Sequence, residues 1–156
     1  MLYVAYGSNM NLNQMKFRCP NSKIVGTGKL VGWKLVFNVH LDIIQTHDKE
    51  DIVPVVIWDI ADEDWCTLDR YEGYPYYYIR KNVMVKLDNG KYKKAIVYVM
   101  VDSRKGIAPP MDKYFETCKQ GCIDNKIDVE YLYKALHYSY ENKTKYNQYR
   151  PKVVKG

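Results

Sequence analysis

Residues 62–80 read DEDWCTLDRYEGYPYYYIR, and this stretch joins a helical pattern to a strand pattern. Three acidic residues at its start suit the positively polarised N-terminus of a helix, and Trp65 and Leu68 follow at helical spacing. Gly73 is positioned to end the helix in the left-handed conformation. The stretch therefore predicts a short helix that carries Glu72 at its C-terminal end and leads into a strand.

Strand patterns lie on both sides of this helix. Residues 52–60 carry apolar side chains on both parities, which is typical of a central strand that is covered on both faces. Residues 77–87 and 91–101 flank Asp88-Asn89-Gly90, a strong turn signal between two strand patterns. We expect a β-hairpin there.

The remaining elements are predicted from turn residues and apolar spacing. These are an opening strand over 2–6 that stops at Gly7-Ser8-Asn9, a short helix or turn over 10–18, two kinked strands over 23–38, an exposed loop over 40–51, and helices over 111–122 and 129–140, the last with Asp128 as N-cap. This order lacks the regular alternation of a doubly wound sheet. It predicts an α+β domain with a mostly antiparallel, bent sheet over residues 1–141.

Composition limits the class of protein. The chain has 156 residues, 47% of them hydrophobic and 27% charged, which favours one folded domain and excludes a disordered or collagen-like chain. No apolar run approaches the length that a transmembrane helix needs, so we expect no membrane association. The start of the chain lacks the basic region of a signal peptide, and we therefore expect a cytoplasmic protein.

Most of the net positive charge is concentrated at the end of the chain. Residues 142–156 hold five Lys or Arg and no acidic residue, whereas the whole chain has a net charge of +6. Residues 1–141 are therefore nearly neutral. We expect 142–156 to be a solvated basic tail and the domain to be a monomer, with nucleic-acid binding through the tail as the less favoured hypothesis.

Cysteine and histidine spacing gives no metal-site pattern. Cys19, Cys66, Cys118 and Cys122 contain no C-x-x-C pair. The histidines have no ligand spacing relative to them or to one another. We therefore expect reduced thiols, no metal and no cofactor.

Two segments carry candidate chemistry. In Tyr6-Gly7-Ser8-Asn9-Met10, successive backbone N–H groups at a strand end can point at an oxyanion or a carboxylate, although the same residues also make an ordinary turn. Ser8 lacks the surroundings of a nucleophilic serine. In the second segment, Glu72 lies beside Gly73 and several tyrosines. A partly buried carboxyl group there could exchange protons with a substrate, and the alternative is a solvated Glu near a helix end.

These segments, taken together, resemble a known family. Tyr6-Gly7-Ser8-Asn9, the run Val56-Ile57-Trp58-Asp59-Ile60, the block from Leu68 to Arg80 and the strand from Ala95 to Val99 occur in the order and spacing of the γ-glutamylcyclotransferase superfamily. The Leu-Asp-x-Tyr-Glu-Gly-Tyr-Pro form looks like its γ-glutamylamine cyclotransferase-like, AIG2-like branch. The resemblance covers about residues 1–140.

The resemblance implies a small β-barrel-like sheet flanked by helices, with a cavity at the barrel mouth. It implies that Glu72 is the general acid/base and that Tyr78 borders the site. Pro110, Tyr114 and Gly121 match a helix entry and a glycine near that helix's end, so Tyr114 is expected to close the pocket. Arg80 also matches, without an assigned role. The implied substrate cradle consists of Tyr6, Gly7, Ser8 and Asn9, with Met10 as a possible extension.

The reaction implied is release of an amine from a γ-glutamyl-amine or γ-glutamyl-peptide with formation of 5-oxoproline, without a metal. The Glu-Gly-Tyr-Pro form favours a γ-glutamylamine over glutathione as substrate. A different hypothesis is a protein that binds a γ-glutamyl group or another small molecule on the same fold without turnover. The sequence leaves the leaving amine open, and also whether the cradle binds the α-carboxylate or the oxyanion.

Overall fold

The computed structural model describes residues 1–143, and within them it has seven strands and four α-helices. The predicted basic tail lies outside the described residues from 144 onward. In chain order the elements are β1 Leu2–Ala5, α1 Leu12–Arg18, β2 Lys23–Val31, β3 Trp33–Asn38, β4 His40–Gln45, β5 Ile52–Asp59, α2 Trp65–Glu72, β6 Tyr78–Leu87, β7 Tyr92–Met100, α3 Asp112–Asp124 and α4 Glu130–Glu141.

Five of the strands close into a barrel in the order β1-β5-β2-β6-β7. The pairs are antiparallel except where Tyr3 of β1 meets Ile96 of β7 in parallel, which closes the ring. Gly28 allows β2 to approach β6, because a Cβ there would lie 2.8 Å from the carbonyl oxygen of Lys86. The predicted α+β class, a mostly antiparallel β-barrel-like sheet flanked by helices, is confirmed.

The prediction of an exposed loop over residues 40–51 is wrong for its first half. His40–Gln45 forms β4, which pairs with β3 in a separate two-stranded sheet. The chain reverses at Val39, whose φ of 66° is unusual for a β-branched residue. Two hydrogen bonds with Ala108 stabilise this turn, from Val39 N–H to the Ala108 carbonyl and from Ala108 N–H to the Phe37 carbonyl. The turn is therefore stabilised by Ala108, which is distant in sequence, and not by a Gly, Asn or Pro at position 39 that a sequence pattern would reveal.

The helix predicted to end at Gly73 is α2, which follows a short 3-10 turn at Asp62–Asp64. Gly73 has φ 67° and ψ 30°, and its N–H bonds the Arg70 carbonyl, as expected for a left-handed C-cap. Helix α4 packs on β3, and the Asp128 carboxylate accepts a hydrogen bond from Glu130 N–H at 3.0 Å at its start.

Within residues 1–143 the cysteines are free thiols, and Cys118 and Cys122 lie on the buried side of α3. No group of three or more His, Cys, Asp or Glu side chains converges as a metal site would require in this part of the chain. None of the helices described there is long and apolar enough to span a bilayer.

Candidate active site

A cavity opens at the end of the barrel where β1 and β7 finish and β6 begins. It brings together the two segments that the sequence singled out, although 63 positions separate Asn9 from Glu72. The cavity is lined by Tyr3, Tyr6, Gly7, Ser8, Asn9, His40, Leu41, Tyr71, Glu72, Tyr78, Tyr98 and Tyr114. Every predicted site residue except Met10 belongs to this lining.

The cradle segment forms a 3-10 turn at Ser8–Met10 directly after β1. Met10 N–H donates to the Gly7 carbonyl at 3.0 Å, which closes the turn. Gly7 lies against Tyr114, since a Cβ at this position would meet the Tyr114 hydroxyl at 3.3 Å and Leu41 at 3.5 Å. A side chain at position 7 would therefore crowd the cavity wall.

Met10 lies behind the cavity and does not line it, contrary to the prediction that it extends the cradle. The turn directs its side chain into the core, where it is fully buried and contacts the Tyr131 hydroxyl through sulfur at 3.7 Å. Helix α3 packs closely at this point because Gly121 has no side chain; a Cβ there would lie 2.8 Å from Asn11 N. Asn125 donates to the Met10 carbonyl at 2.8 Å. Helix α3 thus holds the cradle from behind.

Glu72 is the last residue of α2 and lines the cavity. Its Oε1 accepts a hydrogen bond from Asn9 Nδ2 at 3.1 Å. The same Asn9 nitrogen donates to the Tyr3 hydroxyl at 3.0 Å. The carboxyl group is therefore tied directly to the cradle turn by a neutral donor.

Arg18, at the end of α1, lies beneath the cradle and is 8% exposed. Its Nη1 donates to Asn9 Oδ1 and, at 3.4 Å, to Ser8 Oγ. Its guanidinium carbon lies 3.3 Å from the centre of the Tyr71 ring, a cation–π contact, and the Tyr71 hydroxyl lies 3.2 Å from Ser8 Oγ. Burial lowers the pKa of Arg18 by more than the neighbouring Tyr71 and Glu72 raise it. A guanidinium starts from so high a pKa that the group is still a cation at neutral pH.

Hydroxyl groups make up much of the remaining wall. Tyr6 donates to the Tyr98 carbonyl and Tyr78 donates to the Leu41 carbonyl, each at 2.7 Å. Leu41 N–H in turn donates to the Tyr114 hydroxyl at 3.1 Å. Burial, as the largest cause, raises the pKa well above the ordinary value for Tyr3, Tyr6, Tyr78 and Tyr114. These side chains stay neutral and act as fixed dipoles around the site.

Arg80, which the sequence left without a role, binds Asp69. Its Nε donates to Asp69 Oδ1 at 2.9 Å, and its Nη2 pairs with Oδ2. The Tyr98 hydroxyl also donates to Asp69, while the guanidinium stacks on Trp65 and Tyr74 at 4.6 and 5.2 Å from their ring centres. Asp69 precedes Glu72 by one helical turn, so this ion pair fastens α2 to the barrel wall.

The sequence model of the family described as Gamma-glutamyl cyclotransferase, AIG2-like matches residues 3–117. The chain belongs to this family. A gamma-glutamylcyclotransferase of Bos taurus is 26% identical over 163 aligned positions, which cover 97% of this chain and 82% of the bovine protein.

Two solved structures share the fold over nearly the whole chain. A gamma-glutamyl cyclotransferase superposes with a TM-score of 0.75 at 25% identity, over 99% of this chain and 93% of that protein. A human protein described as uncharacterized superposes with a TM-score of 0.74 at 25% identity, over 98% of this chain and 92% of the human one.

Sequence reasoning missed five of the twelve described residues that line the cavity. Tyr71 could have been found from its position beside Glu72, and Tyr98 from its pairing with Arg80 across the predicted hairpin. His40 and Leu41 were hidden by the wrong loop prediction. Arg18 carries no local signal, because its contacts with Ser8, Asn9 and Tyr71 form only when α1 folds against the cradle and α2. The residues missed are Tyr3, His40, Leu41, Tyr71 and Tyr98 in the lining and Arg18 behind it.

Proposed function

We propose that this chain releases an amine from a γ-glutamyl-amine or γ-glutamyl-peptide and forms 5-oxoproline, with Glu72 as general acid/base. The observation that carries the proposal is the hydrogen bond of the Glu72 carboxyl group to Asn9 of the cradle turn, within one tyrosine-lined cavity. A proton-exchanging group and a turn able to hold a substrate anion thus meet at one place.

The reaction is intramolecular. The α-amino nitrogen of the γ-glutamyl group attacks its own γ-carbonyl carbon, a five-membered lactam closes, and the amide C–N bond to the leaving amine breaks. Neither water nor a protein nucleophile takes part. The protein contributes mainly by holding the substrate folded in the attack geometry, which in favourable cases contributes several kcal/mol.

Protonation is the chemical obstacle. Peptide α-amines have a pKa of about 8, so most substrate molecules carry an ammonium group at neutral pH, and an ammonium nitrogen cannot attack. In all, two protons pass from this nitrogen to the departing amine, one before the attack and one as the lactam forms, and Glu72 takes up and returns each of them. Within the described residues, Glu72 is the only Asp or Glu in the cavity lining, which supports this choice of acid/base.

The cradle stabilises the negative charge of the substrate. Backbone N–H groups in the segment Gly7–Asn9 can bind either the α-carboxylate or the oxyanion that develops on the γ-carbonyl. The neutral tyrosine hydroxyls around them supply further dipoles without adding a competing charge. We place a γ-glutamylamine ahead of glutathione as substrate, on the Glu-Gly-Tyr-Pro form at residues 72–75.

The test compares the wild type with Glu72→Gln, which keeps the shape of the side chain and removes the base. Release of 5-oxoproline is measured by mass spectrometry from γ-glutamyl-amino acids, γ-glutamyl-amines, ε-(γ-glutamyl)-lysine and glutathione. Glu63→Gln is the matched control, since Glu63 is exposed and lies in the turn before the same helix. We expect Glu72→Gln to lose about 10²- to 10⁴-fold in kcat, and the control to match the wild type.

Three outcomes separate the hypotheses. Undiminished release by folded Glu72→Gln protein would overturn the acid/base assignment. A silent wild type that is thermally stabilised by 5-oxoproline would instead favour the non-catalytic binding protein. Loss of wild-type activity in EDTA, with recovery on adding a divalent metal, would contradict the metal-independent reaction.

A further inference from the structure

The side-chain amide of Asn9 has a defined orientation. Its Nδ2 donates to Glu72 Oε1 and to the Tyr3 hydroxyl, and its Oδ1 accepts from Arg18. If the amide rotated by half a turn, its oxygen would face the Glu72 carboxyl oxygen and its NH₂ group would face the guanidinium. One contact would then join two acceptors and the other would join two donors, so neither could form a hydrogen bond.

Arg18 determines which orientation is adopted, because a guanidinium can only donate. It is buried, and Gln14 Oε1, one helical turn earlier in α1, accepts from its Nη2. Its hydrogen bonds to Asn9 and Ser8 come from a single nitrogen, Nη1. A charged donor that is fixed in this way holds Asn9 Oδ1 toward α1 and leaves the NH₂ group directed at Glu72.

Arg18 also contacts the helix that carries Glu72. Its guanidinium stacks on Tyr71, the residue immediately before Glu72, and Tyr71 is joined to Ser8 through their hydroxyl groups. One side chain therefore touches both the cradle turn and the end of α2. It does so from behind the wall, because Arg18 is not among the residues that line the cavity.

We propose that Arg18 is a positioning residue that fixes Asn9 as a hydrogen-bond donor to Glu72 and so holds the Glu72 carboxyl group in register with the cradle. This inference rests on the proposed role of Glu72 as acid/base and adds a residue that acts on it through Asn9. Because Arg18 does not line the cavity, we expect it to affect the chemical step and not substrate binding.

The kinetic test is Arg18→Met, which keeps the length of the side chain but removes charge and donors. We expect kcat to fall about 10- to 100-fold while KM changes less than about threefold, because the base is misplaced while the backbone of the cradle turn stays closed by the hydrogen bond from Met10 N–H to the Gly7 carbonyl. Arg70→Met is the control; Arg70 is an exposed arginine of α2 whose side chain contacts Cys66 Sγ at 3.9 Å. A rise in KM with unchanged kcat would overturn the proposal in favour of substrate binding by Arg18.

A double-mutant cycle tests whether the effect passes through Asn9. In an Asn9→Ala background, the further change Arg18→Met should lower kcat by less than about threefold, because the group that Arg18 orients is already gone. Arg18→Lys, which retains one charged donor, should give an intermediate kcat. Full additivity of the two single effects would contradict the inference. All rates are measured at a temperature where circular dichroism shows each variant folded.

A readout independent of turnover separates this inference from the proposed function. In [¹⁵N]asparagine-labelled protein, the Asn9 side-chain NH₂ signals, assigned by their loss in Asn9→Ala, should exchange slowly with solvent and shift on Glu72→Gln. In Arg18→Met both properties should be lost. If they persist, the positioning role is wrong even with an active enzyme; if they are lost while wild type releases no 5-oxoproline, only the proposed reaction fails.

Discussion

Helix α2 carries two carboxyl groups one turn apart, and their surroundings differ: Asp69 is bound at the barrel wall, which we call the barrel-wall face, and Glu72 lines the cavity, which we call the cavity face. On the barrel-wall face, Asp69 receives Arg80 on both oxygens and also the Tyr98 hydroxyl. On the cavity face, one turn later, Glu72 is bound by the neutral amide of Asn9. The same short helix thus presents one carboxylate directly to a cation and the other to a neutral amide, behind which the Arg18 cation lies.

The difference explains how one helix can serve structure and chemistry together. A guanidinium bound to both carboxylate oxygens fixes the Asp69 side chain through two charge-assisted hydrogen bonds, which suits a structural contact. A neutral amide donor makes a weaker hydrogen bond, which positions the Glu72 carboxyl group at the cavity. We expect changes at Asp69 and Arg80 to alter stability, and changes at Glu72 to alter turnover.

The largest expected effect is on the cavity face. Glu72→Asp keeps the charge but withdraws the carboxyl group by one methylene, so it should lower kcat about a hundredfold, since a displacement of about 1 Å can have that effect. The midpoint of thermal unfolding should stay close to that of the wild type. Glu63→Asp, measured for 5-oxoproline release in parallel, should change neither quantity. A rate within threefold of wild type would show that the position of the carboxyl group matters little.

The next effect is on the barrel-wall face. Arg80→Met removes the cation from Asp69 and should lower the free energy of unfolding by about 1–2 kcal/mol, less than for a fully buried pair because both side chains retain solvent contact, at 30% and 23% exposure. Urea denaturation measures this loss. The folded variant should keep kcat within about threefold of wild type. A large drop in kcat without a loss of stability would erase the distinction between the two faces.

The barrel-wall face also shows what the sequence can predict. The acidic start, the helical spacing and Gly73 were sufficient to predict α2 and the position of Glu72 at its end, because these signals act within one or two turns. The partner of Arg80 was not predicted, although Asp69 is only eleven positions away. The alternation of side chains along a strand predicts the face on which Arg80 lies, but it does not predict which residues pack on that face.

The cavity face depends on longer-range contacts. The Tyr6-Gly7-Ser8-Asn9 turn and Glu72 were found because a family pattern links them, whereas the contacts of Arg18 with Asn9 and Tyr71 follow only from the folded chain. Strand β4 was missed for a similar reason, since Ala108 stabilises the reversal at Val39 from a distant part of the sequence. The local structural preferences of a sequence segment do not show which distant residues will stabilise it.

A smaller effect is expected when only the hydroxyl contact to Asp69 is removed. Tyr98→Phe keeps the ring in the cavity wall and deletes one donor to a carboxylate that Arg80 still binds, so it should lower the free energy of unfolding by about 0.5–1.5 kcal/mol. Tyr92→Phe on the same strand is the control, because Tyr92 is 51% exposed. Equal losses for the two variants in urea denaturation would mean that the Asp69 contact contributes nothing specific.

A third carboxylate, Asp42, extends the comparison to a fully buried group. Asp42 is fully buried in β4, away from the cavity lining, and accepts hydrogen bonds from Met100 N–H at 3.0 Å and from Asn38 Nδ2 at 3.3 Å. Burial raises the pKa of Asp42, against the lowering effects of its backbone donors and of Lys105, while Asp102 raises it further. The folded protein therefore binds the Asp42 proton more tightly than the unfolded chain does.

The sign of the pH effect follows from that difference. Between the unfolded pKa of about 3.9 and the raised folded value, the native state holds more protons than the unfolded state, so stability falls as the pH rises through this window. Asp42→Asn cannot titrate there. The free energy of unfolding of the wild type minus that of Asp42→Asn, from urea denaturation between pH 3.5 and 7, should therefore decrease with pH, whatever the constant effect of the substitution on packing. A difference that increases with pH would mean that the hydrogen-bond donors and Lys105 outweigh burial and hold Asp42 as the anion.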